Sequence, residues 1–94
     1  MLSKIPAETK GKKGRDRDLQ ILRAAIIAEL DAINLYEQMA ELAEDEGLKM
    51  VLRDVAEEEK THFGEFQALL LKFDPGQEKE LKKGMEEVRE ILGK

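Results

Sequence analysis

The chain has 94 residues, room for one small domain, and it carries no cysteine, so a disulfide framework, a thiolate metal site and an iron–sulfur cluster are all excluded. It is rich in charge (39% Asp, Glu, Lys and Arg) and poor in aromatic residues (4%), with asparagine only at position 34, which suits a cytosolic, cytoplasmic protein and leans towards a heat-tolerant source. The net charge of −5 is uneven: residues 19–94 hold ten basic against eighteen acidic side chains, an acidic body that disfavours nucleic acid and suits cations.

Residues 1–15, with Pro6, Gly11, Gly14 and scattered lysines, read as a flexible basic arm. They hold no apolar stretch that could serve as a signal peptide. The domain proper is expected over 16–94, with Asp16 or Asp18 capping the first helix.

From Leu19 the apolar pattern is helical: Leu19, Leu22, Ile26, Glu29, Ile33, Tyr36, Ala40 and Ala43 step by three and four. A second stripe, Ile21, Ala25, Ala28, Ala32, Leu35, Met39 and Leu42, runs beside it. Together they are wider than one neighbouring helix can cover. Arg23, Glu29 and Asp31 interrupt the apolar run from Ile21 to Leu35, so no membrane span is expected.

Asp45-Glu46-Gly47 predicts a stop and turn, with Gly47 in the left-handed position after the helix. A second helix carries Leu48, Leu52, Val55, Glu59, His62, Phe66, Leu69 and Phe73, and Asp74-Pro75-Gly76 ends it. Gly64, inside that helix, predicts a close helix–helix approach. Leu81, Met85, Val88 and Leu92 mark a short third helix. The fold class is all-α: an antiparallel two-helix hairpin plus a short C-terminal helix.

Each long stripe has polar exceptions near its centre. Glu29 interrupts the first; Glu59 and His62, three residues apart on one helix face, interrupt the second. With the turn near residue 46, antiparallel helices bring residues whose numbers sum to about 92 to one level. Glu29 then lies opposite residue 63, close to His62 and about one helical turn, roughly 6 Å along the axis, from Glu59. Two carboxylates and an imidazole suit Fe(II), Mn(II) or Zn(II). A helix-bundle di-iron centre takes a Glu from each of two helices and a Glu-x-x-His from each of two more. This chain has one of each, and His62 is its only histidine, so it holds half the set and a two-fold axis would supply the rest. The alternative is a buried hydrogen-bonded cluster that fixes helix register. Tyr36, seven residues beyond Glu29, is either a core aromatic or a neighbour of the centre. Asp31, Glu58 and Glu65 read as surface charges.

The segment Ala28-Glu29-Leu30-Asp31-Ala32-Ile33-Asn34-Leu35-Tyr36-Glu37-Gln38, followed by Glu58-Glu59-Lys60-Thr61-His62, resembles the encapsulated ferritins, the half-length ferritin-like proteins of encapsulin nanocompartments. The likeness runs from about Leu19 to Leu71 and is nearest the thermophile branch, in which the domain is fused to the shell protein. It implies a ferritin-like four-helix bundle completed by dimerisation, and a ring-shaped oligomer of such dimers. It implies a ferroxidase whose iron centre lies between subunits and feeds iron storage inside an encapsulin nanocompartment. Glu29, Glu59 and His62 match the family's iron ligands, Tyr36 the tyrosine beside them, and Asp31 an acidic position linked to metal entry or secondary binding. Ala28 stands where some members have Glu, and Leu35 where some have an aromatic residue. No cargo-targeting peptide is read after Leu81, so the link to a shell is expected through fusion or another route. Two other readings share these residues: a rubrerythrin-like peroxide or oxygen reductase, and a non-enzymatic helical assembly module.

Overall fold

The computed structural model describes residues 14–93. Three helices follow one another: α1 (Gly14–Leu42), α2 (Glu46–Phe73) and α3 (Pro75–Leu92). Most of the expected basic arm, residues 1–13, lies outside the described residues. The helix starts before the expected cap: Gly14, at φ +62°, already opens α1, so Asp16 sits in the first turn, where a negative charge favours the helix dipole.

The two connections use one device. Asp45 is the N-cap of α2, its Oδ2 accepting the Leu48 N–H at 2.8 Å, and Asp74 is the N-cap of α3, its Oδ1 accepting the Gln77 N–H at 3.1 Å. Asp45-Glu46-Gly47 therefore starts the second helix instead of ending the first. Gly47 is not left-handed; the positive-φ residues among those described are Gly14 and Gly93. What position 47 needs is smallness, because a Cβ there would come within 3.1 Å of the capping Asp45 Oδ2. Pro75 at the start of α3 lacks only an N–H that the first turn leaves unpaired anyway.

α1 and α2 pack as the expected antiparallel hairpin. Leu22 and Leu70 are buried towards its open end, and Ala40 and Ala56 nearer the turn. The two alanines are 1% exposed and let the backbones come close beside the turn. These four are the buried hydrophobic residues of the described chain, a thin core for a hairpin of this length. α3 leaves the hairpin at Asp74, its backbone approaches α2 and not α1, and it buries no residue of its own. Leu81, Met85, Val88 and Leu92 remain exposed along it. Gly64 does not mark a close approach within the chain, since an added Cβ would meet nothing within 4 Å.

A candidate metal centre on the hairpin

Glu29 belongs to the inward stripe of α1, and Glu59 and His62 to that of α2. The antiparallel register brings all three to one level. His62 Nδ1 is 3.5 Å from Glu59 Oε1 and 3.7 Å from Glu29 Oε2, and one donor atom from each residue lies within 4.8 Å of the others. These gaps are too long for good hydrogen bonds. They suit donors arranged around an ion, because ligands about 2.1 Å from a metal stand roughly 3–3.5 Å apart.

The carboxylates sit deep and the imidazole shallow. The side chains of Glu29 and Glu59 are each 18% exposed, that of His62 46%. Glu29 Oε2 is enclosed and accepts no hydrogen bond of good geometry, which is costly for a carboxylate. The Glu29 carboxyl is held above the ordinary carboxylate range. The largest cause is a side-chain hydrogen bond with the neighbouring Glu59; desolvation and the negative charges of Glu59 and Glu65 add to it, and His62 opposes them. A divalent ion would offset the negative charge gathered here and satisfy the enclosed oxygen, so the residues fit a metal by charge, spacing and donor type.

The site opens onto a face that the described residues leave uncovered. Ile21, Leu35 and Leu42 of the second α1 stripe are 39%, 39% and 83% exposed. On α2 the line Val51, Val55, Glu58, His62, Glu65, Leu69 steps by four and three along the same side of the hairpin, with Val51 and Leu69 exposed. α3 leans towards the opposite side, where a corner cleft of about 240 Å³ is lined by Ile26, Phe63, Leu70, Leu71 and Leu81.

Of the residues singled out in the sequence, the structure brings Glu29, Glu59 and His62 together and leaves Asp31 outside that group. Tyr36 is half-buried, two helical turns further along α1. Asp31 is also half-buried, and its Oδ2 is enclosed without a hydrogen-bond partner. Sequence reasoning missed Glu65, which looked like an ordinary surface acid yet contributes to the field at Glu29. Its signal was available: it lies three residues beyond His62, one further step along the helix face.

A family model described as Rubrerythrin matches residues 20–92. The ferritin-like–encapsulin shell fusion protein of Pyrococcus furiosus is 65% identical over 75 residues, which is 80% of this chain and 22% of that protein. The encapsulin nanocompartment cargo protein EncC of Myxococcus xanthus is 37% identical over 81 residues, 85% of this chain and 62% of that one. The chain thus spans less than two thirds of the length of either relative. The crystal structure of the encapsulated ferritin domain from Pyrococcus furiosus matches with a TM-score of 0.83 at 59% identity, covering 88% of this chain and 85% of that chain.

Proposed function

Because this chain belongs to the rubrerythrin family and shares its fold and 59% of its aligned residues with an encapsulated ferritin domain, we propose that it is a ferroxidase working inside an encapsulin nanocompartment. Its centre is completed by a second copy of the chain, and the oxidised iron goes to storage in the compartment. The observation that carries this reading is the convergence of Glu29, Glu59 and His62 within 4.8 Å around an unpartnered carboxylate oxygen, on a face left uncovered.

The chain's own residues do three things. Glu29 and Glu59 would hold Fe(II) as substrate through their carboxylate oxygens, with a second copy of the chain supplying the other half of the set. Their negative charge would offset that of the incoming ions. His62 would supply a nitrogen donor from the mouth of the site. In the reaction, two Fe(II) ions give up one electron each, and one dioxygen takes both electrons and two protons to become hydrogen peroxide. Asp31, with its enclosed and unpartnered Oδ2, is assigned to iron entry or secondary binding, and Tyr36 to the margin of the centre.

Dimerisation supplies what half a ligand set lacks. The Ile21–Leu42 stripe is the surface that a two-fold partner covers, and such dimers assemble further into a ring. A hairpin with so thin a core has no cavity for a mineral of its own. Storage therefore falls to an encapsulin shell, fused or associated, as the names of both curated relatives suggest. No helix among the described residues is long and apolar enough to cross a membrane.

The direct test is to load the metal-free chain anaerobically with Fe(II), admit oxygen and follow Fe(III) formation. Glu59→Ala and His62→Ala should each slow oxidation by at least an order of magnitude, and an unchanged rate in both would sink the assignment. The family match also keeps a peroxide reductase in view. This sequence has no cysteine with which to hold a rubredoxin-type electron donor, so that reading needs an external one. Product analysis separates the two: mineralised iron supports storage, and peroxide consumed with soluble iron supports reduction.

A further inference from the structure

The junction between α2 and α3 is held by more than its own chain. Asp74 closes α2 by donating its N–H to the Leu70 carbonyl at 2.9 Å. It opens α3 by accepting the Gln77 and Glu78 N–H groups on its carbonyl at 3.0 and 3.2 Å, with Oδ1 taking the Gln77 N–H as well. Its other carboxylate oxygen, Oδ2, is 3.3 Å from Arg23 Nη2 on α1, 51 residues away in sequence. One turn-sized residue thus ties three helices. The preceding residue is gripped in the same way: the Arg15 guanidinium lies 3.6 Å over the Phe73 ring.

Two arginines of α1 therefore hold the two residues at which the chain changes direction. α3 has little else to fix it, having no buried residue and no backbone approach to α1. The work at Asp74 is divided between its two oxygens. Oδ1 makes the helix begin; Oδ2 answers to α1. A helix start needs only the first. We propose that Arg23–Asp74 is a latch that sets the direction of α3 relative to the hairpin, separable from the cap that makes α3 a helix. With the latch closed, Leu81 is held at the corner beside Ile26 and Leu70, and the exposed line Met85, Val88, Leu92 is presented at a fixed angle. With it open, α3 stays helical and swings about Asp74. The pair is exposed, with side chains 51% and 24% accessible, so salt weakens it and the elbow responds to ionic strength.

The chain has no cysteine, so two can be introduced cleanly for spin labels, at Glu44 near the hairpin turn and Glu87 on the outer half of α3. Labelled full-length chain, diluted with excess unlabelled chain to suppress distances between copies, gives a distance distribution by pulsed dipolar spectroscopy. The parent should give one narrow distribution. Arg23→Gln and Asp74→Asn should each broaden it at least two-fold or shift its mean, with helical circular dichroism unchanged, since asparagine still caps a helix. High salt should do the same to the parent and add nothing in either variant. Arg23→Lys should recover most of the narrow distribution. Distributions in Arg23→Gln and Asp74→Asn that superimpose on the parent's would overturn the proposal, as would a loss of α3 helicity in Asp74→Asn.

Discussion

At the scale of single residues, Glu29 carries the most information, because its chemistry differs with and without a cation. Its carboxyl is raised in the folded chain, mainly by the Glu59 carboxyl beside it, so the protonated form favours the fold. That contribution is complete below the ordinary carboxylate range and is lost as pH rises through the raised value. Relative to a Glu29→Gln variant, the metal-free chain should therefore lose thermal stability across the weakly acidic range. The variant should melt higher than the parent near neutral pH without metal, yet gain less from added Fe(II) or Co(II). Melting curves of both proteins, with chelator and with metal, check this; parallel pH profiles would remove the raised Glu29 carboxyl from the account. The three clustered residues were legible in the sequence because each breaks an apolar stripe where only a partnered polar group is tolerable. Glu65 was harder to pick out: its place one step beyond His62 on the helix face was visible, but its effect depends on distance across the hairpin, and it is exposed like any solvated surface acid.

At the scale of elements, the number and order of the helices could be read from spacing alone, but the function of the punctuation could not. Asp45-Glu46-Gly47 has the composition of a helix end. Whether the aspartate finishes one helix or starts the next depends on backbone angles that composition does not set: here φ −73° and ψ 127° put it at a start. Replacing Asp45 by alanine should cost about 1 kcal/mol in chemical denaturation, with asparagine largely restoring it. The glycines separate in the same way. Gly84→Ala, with open space at the new Cβ and a glycine's entropy removed from mid-helix, should stabilise the chain by about 0.5–1 kcal/mol. Gly47→Ala should give no such gain, because the 3.1 Å approach to Asp45 disturbs the cap. Gly64→Ala should stabilise an isolated chain. A simultaneous loss of assembly on size-exclusion chromatography would place Gly64 against a second copy, where its smallness would then be needed.

At the scale of the whole molecule, the described residues are unfinished as a body: four buried apolar residues, a wide exposed stripe and an outlying third helix. That width was visible in the sequence as two adjacent stripes on one helix, whereas the angle of α3 was not, since it depends on a pair of residues 51 positions apart. Leu35→Glu, on the uncovered stripe and away from the ligands, should shift the protein to a lower oligomeric state by light scattering, keep its helicity and slow iron oxidation together with assembly. Full oxidation by a stable monomer would refute the two-copy centre. The single Glu-x-x-His has a further, genetic consequence. In a centre made from two identical chains, every codon change is written into both metal positions at once. Neither position can drift, specialise or be repaired alone, as each could in a chain that encodes both halves. In the proposed two-chain centre, division of labour between the two metal positions is closed while one gene encodes both, and a site altered on one side only can be had by mixing two versions of the chain.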